Sequence, residues 1–146
     1  MTSNNNHYVF VYGTLRHGQG NWAWALKNRS TMIGYASTRG TMYTLGGFPG
    51  VILPSIADFM IDKVVYGEVF EVSDEVLKTL DCLEGEGSMY HRRKVLVEYQ
   101  AIKKEFRSDD EAPTSVFIYE YGRTPREHNL IPSGDWLVYL NEQRKA

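Results

Sequence analysis

At 146 residues, 42% hydrophobic and 23% charged, the chain is long enough to bury a core and too apolar for a disordered segment. A formal net charge of −2 supplies no overall positive field, which argues against nucleic-acid and anionic-membrane partners. The one cysteine, Cys82, excludes an intrachain disulfide framework, no stretch reaches membrane-spanning length, and the polar start Met1–His7 has no apolar signal core; a reducing, cytoplasmic setting is expected.

Tyr8–Tyr12 is β-branched and aromatic and predicts a strand. Gly13-Thr14 breaks it, and residues 21–27 predict a helix with Asn21 as N-cap candidate. Short strands are expected at Thr31–Ser37, Thr41–Leu45 and Val51–Leu53, and a longer one at Val64–Val72. Ser73 then reads as an N-cap, Asp74 and Glu75 suit a first helical turn, and Val76, Leu77, Leu80 and Leu83 recur at helical spacing. That helix, over 74–84, should stop at Gly85 and Gly87. Tyr90–Tyr99 and Ser115–Tyr121 are further strands, separated by a charged, exposed excursion over Lys103–Pro113, and Asp135–Glu142 predicts a terminal helix. Strands outnumber helices, and only the first shows a strand–glycine–helix order. The expected class is therefore α+β: a mixed, closed or nearly closed sheet with two or three helices, in one domain over 1–146 with residues 1–6 flexible.

Two segments could carry chemistry. A strand ending in Gly13-Thr14 and turning towards a helix can aim successive backbone N–H groups at one anion, or can simply be a tight turn that needs glycine. It has neither the Lys-Ser/Thr of a P-loop nor three dinucleotide-type glycines. Glu84 lies four residues after Leu80 and seven after Leu77, so it shares their inward helix face. Desolvation and the negative helix end would both raise its pKa towards that of a general acid/base, whereas at a frayed helix end it would be an ordinary surface glutamate. Asp81 competes one turn earlier, with local hydrogen bonding as its other role, and Glu86 follows just past the glycine.

The remaining candidates are weaker. Tyr119 and Tyr121 share a strand face, as sheet packing or as a phenol in a pocket. Cys82 reads as a small packed side chain and His91–Lys94 as a solvated basic face. His7, His17, His91 and His128 are too dispersed for a metal site, and Ser55 and Ser133 lack a nucleophile elbow.

Together the segments Val11-Tyr12-Gly13-Thr14-Leu15-Arg16, Phe48-Pro49-Gly50, Val65–Val72, Leu80-Asp81-Cys82-Leu83-Glu84-Gly85, Tyr90-His91-Arg92, Val116–Tyr121 and Ile131–Trp136 resemble the γ-glutamylcyclotransferase-like family, in particular its γ-glutamylamine cyclotransferase branch. The match spans nearly the whole chain in order. The resemblance implies a small mixed β-barrel flanked by helices, with one cavity near the end of the first strand. It implies that the backbone N–H groups of Gly13, Thr14 and Leu15, in the Tyr12–Leu15 turn, hold the glutamyl α-carboxylate, and that Glu84 is the acid/base. It also implies that Tyr119 lies in the cavity and that Phe48, Pro49 and Gly50 shape its wall. The implied reaction is cyclisation of a small γ-glutamyl amide to 5-oxoproline and a free amine, without metal or organic cofactor. Glu86, Gly87 and the charged 103–113 stretch bear on substrate choice, and the leaving amine stays open. A non-catalytic carboxylate-binding module and a γ-glutamyl amide hydrolase are the alternatives.

Overall fold

The computed structural model describes residues 6–55, 63–103 and 112–145. Its elements run β1 (His7–Val11), α1 (Gly20–Ala25), β2 (Thr31–Arg39), β3 (Thr41–Thr44), β4 (Pro49–Ile52), β5 (Val64–Val72), α2 (Asp74–Glu84), β6 (Tyr90–Leu96), β7 (Glu98–Ile102), β8 (Ser115–Tyr121), β9 (Leu130–Ile131) and α3 (Trp136–Lys145). Six strands form one sheet in the order β6-β8-β1-β5-β2-β7, and β4-β3-β9 form a second. The β1–β8 pairing is parallel and every other pairing is antiparallel, so the α+β mixed sheet is as expected.

The expected strand Tyr90–Tyr99 is divided at Val97. Its first half, β6, pairs with β8, while its second half, β7, pairs with β2 at the opposite edge of the sheet. One residue thus carries the chain between the two edges, which requires a strongly curled sheet. A bulge in β2 at Ile33, opposite β5, and one in β7 at Gln100, opposite Tyr35 and Ala36 of β2, supply local bend and twist. The buried Val97 amide donates to Thr114 O at 2.9 Å, and the Thr38 hydroxyl donates to Leu96 O at 2.8 Å. The barrel is therefore joined through a bent strand. No hydrogen-bonded ladder joins the described β6 and β7, so of the closed or nearly closed sheet expected from the sequence the structure has the one that is not fully closed.

β1 lies at the centre and is buried on both faces. Phe10 and Tyr12 belong to a core with Ile33, Met42, Val65, Ile118 and Trp136. Val9 and Val11 face a second core with Leu26, Phe70, Leu77, Leu80 and Tyr119, covered by α1 and α2. Two-sided burial explains why the strand reads as an unbroken apolar run instead of an alternating one.

α2 spans the predicted residues. The Ser73 hydroxyl accepts from Val76 N at 3.2 Å, and Val76, Leu77 and Leu80 are buried. At its other end Gly85 has φ 61°; Gly85 N donates to Cys82 O at 3.2 Å and Glu86 N to Asp81 O at 2.9 Å, a Schellman stop. Cys82 is exposed on this helix, contrary to the packed reading, because the buried stripe runs through Val76, Leu77 and Leu80. Asn21 is inside α1 and Gln19 takes the N-cap position. Asp135 caps α3, accepting from Leu137 N at 3.0 Å and Val138 N at 3.3 Å. Of the stretches expected to be flexible or exposed, residues 1–5 and 104–111 lie outside the described residues. Asn6 is exposed and donates to Glu71 at 2.6 Å, while Ala112 is buried. Among the described residues no helix is long and apolar enough to cross a membrane.

Candidate active site

A cavity of about 350 Å³ opens where β1 ends. Tyr12, Gly13, Thr14 and Leu15 form one wall, Phe48 and Pro49 a second, and Leu83 and Glu84 a third, with Tyr90 and Tyr119 completing it. Of the residues singled out from the sequence, Tyr12, Gly13, Thr14, Leu15, Pro49, Glu84 and Tyr119 thus come together. Gly50 does not line the cavity; a side chain there would meet Leu45 and Tyr121 at 3.0 Å, so it lets β4 pack against β8.

The turn after β1 is shaped by bonds around it. Arg16 N donates to Gly13 O at 3.0 Å, Trp22 N to Thr14 O at 3.1 Å, and Asn21 Nδ2 to the Thr14 hydroxyl at 2.6 Å. The amides of Gly13, Thr14 and Leu15 donate to no described residue. Gly13 is obligatory for space: a Cβ there would sit 2.6 Å from Pro49 Cγ and 2.7 Å from Cδ.

Glu84 is the last residue of α2 and the one acidic side chain among the residues lining the cavity. Burial raises its pKa from 4.5 to about 7, and no described residue pairs with or donates to its carboxyl. Among the described residues no fully buried side-chain N or O atom lacks a partner, so the unpartnered carboxyl keeps some accessible surface, and Glu84 lines the cavity. Asp81, the rival acid, is held elsewhere: Arg92 Nη1 and the Tyr119 hydroxyl each lie 2.6 Å from one of its oxygens. Glu86 is exposed and accepts from Arg92 N at 3.2 Å, so it adds no carboxylate to the cavity wall. The basic run also faces outward. Arg92 pairs with Asp81 and Arg93 with Glu120, and Arg92 and Lys94 lie against Phe117.

Tyr90, Asn21, Leu83 and Met89 also line the cavity, a place that the sequence pattern does not point to. Tyr90 enters because β6 begins directly after the α2 stop, and its hydroxyl donates to Pro49 O at 2.8 Å. A buried cluster behind the turn, in which Arg16 meets Glu68 and Asp135, is likewise not among the places the sequence pointed to. A charged residue at an inward strand position, Glu68, was the available signal.

Residues 9–138 match the family described as gamma-glutamyl cyclotransferase, AIG2-like. Over 129 residues the chain is 32% identical to the gamma-glutamylcyclotransferase family protein YtfP of Escherichia coli, covering 88% of this chain and 95% of that one. The solution structure of the E. coli protein matches with a TM-score of 0.58. The gamma-glutamylaminecyclotransferase of Bos taurus is 32% identical over 130 residues, 85% of this chain and 71% of the bovine one. A crystal structure of an AIG2-like protein from Mus musculus, 23% identical, shares the fold with a TM-score of 0.70 over 90% of this chain and 88% of that one. The fold is that of the γ-glutamylcyclotransferase-like proteins. The chain belongs to the gamma-glutamyl cyclotransferase, AIG2-like family.

Proposed function

We propose that this protein is a cytoplasmic, single-domain γ-glutamyl cyclotransferase that converts γ-glutamyl amines to 5-oxoproline and a free amine. The observation that carries the reading is the solitary Glu84 carboxyl, with a pKa near 7, sharing one cavity with the Tyr12–Leu15 turn. In the reaction the substrate supplies its own nucleophile. Glu84 takes a proton from the α-ammonium, and the freed amine attacks the δ-carbonyl and closes a five-membered ring. The carbon–nitrogen bond to the leaving amine then breaks as Glu84 returns that proton to it. The second proton, which the ring nitrogen sheds on becoming the lactam N–H, passes by way of Glu84 to the released amine, which departs as an ammonium. Bonds and protons balance without an external electron carrier or activating group.

The Gly13, Thr14 and Leu15 amides hold the substrate α-carboxylate in this reading, beside the positive end of a turn with no competing acceptor. Phe48 and Pro49 exclude water from one side of the folded substrate. A pKa near neutrality suits a group that must give and take a proton in one cycle, which is worth about 10²–10⁴ in rate. Enforced proximity of amine and carbonyl contributes the larger share.

The test is product analysis on a panel of γ-glutamyl amides, with alkylamines and ε-linked lysine as leaving groups. 5-Oxoproline that disappears with Glu84→Gln supports the proposal. Free glutamate would identify a hydrolase, and no turnover by any member would identify a binding module.

A further inference from the structure

The segment leading into α3 is seated on β5 before the helix begins. Tyr66 N donates to Gly134 O at 2.8 Å, and a Cβ at Gly134 would lie 2.0 Å from Val64 O, so the two backbones are in direct contact. Two residues on, Trp136 is 1% exposed and belongs to the core with Phe10 and Tyr12. Asp135 is therefore anchored on both sides. Its Oδ1 accepts from three donors in two parts of the molecule. Leu137 N at 3.0 Å and Val138 N at 3.3 Å belong to the first turn of α3, and Arg16 Nη1 at 2.9 Å comes from the turn after β1, 119 residues earlier. Arg16 also holds Glu68 of β5 through Nε at 2.9 Å and is 5% exposed, so water has little access to replace either carboxylate. Arg16, Glu68 and Asp135 do not line the cavity, and the reaction uses none of them.

We propose that Asp135 is a positioning residue: as the acceptor shared by the α3 cap and Arg16, it couples the seating of α3 to the closed form of the turn after β1. The turn is closed by Arg16 N to Gly13 O at 3.0 Å and by Trp22 N to Thr14 O at 3.1 Å, so a displaced Arg16 side chain pulls on a residue that closes it. Loss of Asp135 leaves the buried guanidinium with one carboxylate in place of two. Opening of the turn, conversely, withdraws the guanidinium from the helix cap. Such coupling is reciprocal, so each end should report on the other. What the turn receives rests on the cyclotransferase reading; the coupling of turn and helix does not.

Native-state amide hydrogen exchange on the full chain reads the coupling from both ends. Asp135→Ser keeps an N-cap oxygen for α3, since serine caps about as well as aspartate, but lacks the charge and the reach to meet Arg16. Exchange of the Arg16 and Trp22 amides should quicken at least about tenfold, the scale of a lost charge-assisted hydrogen bond. Leu77 N, bonded to Ser73 O in α2, should hold its rate. Arg16→Lys leaves Asp135 in place and keeps a positive charge for Glu68, but an ammonium lacks the planar fork that serves two carboxylates at once. In that variant the Leu137 and Val138 amides should quicken several-fold. Unchanged exchange at the far end in either variant overturns the coupling, and so does equal acceleration at Leu77, which is what general loosening gives.

Kinetics of Asp135→Ser read the positioning role. KM for a γ-glutamyl amide should rise several-fold with kcat kept, the mark of lost uniform binding. A lowered melting temperature with KM unchanged is what a purely structural role gives, and it overturns the positioning role. Quickened exchange in both variants with no turnover by the wild type on any γ-glutamyl amide would overturn the reaction and not the coupling.

Discussion

The Arg16 guanidinium and the Glu68 carboxylate meet out of reach of water, with Nε 2.9 Å from Oε2, and residues 16 and 68 are 5% and 1% exposed. The other Glu68 oxygen accepts from His17 N at 2.6 Å, and Arg16 Nη1 reaches Asp135 at 2.9 Å. One guanidinium therefore ties the turn after β1 to the central strand β5 and to the cap of α3. The turn bearing the Gly13–Leu15 amides is braced from behind by charge.

Removing one member of such a pair leaves the other ionised and unpaired, which costs about 3–5 kcal/mol, more than the pair contributes relative to apolar residues. Arg16→Met should lower the urea-derived unfolding free energy by about that amount. Glu68→Gln keeps an acceptor oxygen and should lose less, about 1.5–3 kcal/mol, the worth of a hydrogen bond to a charged group. Equal losses in the two variants would show that shape, and not charge, holds the turn.

Glu84 should make the wild type less stable as pH rises. Its folded pKa of about 7 exceeds its value of 4.5 when unperturbed, so between these pH values the native state holds more protons than the unfolded chain. The stabilisation is complete below about 4.5 and is lost as pH rises through about 7, for a total on the order of 3 kcal/mol. Glu84→Gln cannot ionise. Urea midpoints of the two proteins should diverge across this window, leaving the inactive variant the more stable at pH 8. Parallel curves would mean the carboxyl is well solvated. The same ionisation should place the acidic limb of kcat/KM near pH 7.

Gly13→Ala tests the turn itself. The new methyl group would meet the Pro49 ring at 2.6 Å, and that ring is part of the buried strand β4 and not a flexible tip. Crowding of this kind costs about 1–3 kcal/mol. Because the turn and Pro49 are both cavity walls, KM for a γ-glutamyl amide should also rise at least about tenfold. A variant with lowered stability and unchanged KM would remove the turn from substrate binding.

The fold and site differed in how readable they were, for reasons that lie in particular residues. α2 was read to the residue because Ser73, the Leu77/Leu80 spacing and Gly85 act locally. Tyr90–Tyr99 looked like one strand because its kink at Val97 answers to partners distant in sequence, Thr38 and Thr114. Glu84 could be singled out through its apolar helix face. That Asp81 is spoken for depends on Arg92 and Tyr119, whose approach only the β6–β8 pairing sets. The Arg16–Glu68 contact joins residues 52 apart and leaves no periodicity to find. The Lys103–Pro113 excursion falls largely outside the described residues.

Two substitutions at opposite ends of α2 separate stability from catalysis. Ser73→Ala removes a cap and should cost about 1 kcal/mol. Gly85→Ala places a Cβ in a left-handed conformation at φ 61°, costing about 1–2 kcal/mol, while its nearest new contact, Met89 Cβ at 3.5 Å, is ordinary packing. The thermodynamic penalties are therefore similar. Their effects on the site are not, because Gly85 adjoins Glu84 and its amide closes the helix on Cys82 O, whereas Ser73 lies three turns away. Ser73→Ala should lower the melting temperature with kcat unchanged, and Gly85→Ala should lower both, kcat by about tenfold or more, since small misplacements of an acid/base are costly. Equal kcat in the two variants, measured well below their melting temperatures, would mean that Glu84 does not need the helix stop to hold its carboxyl in the cavity.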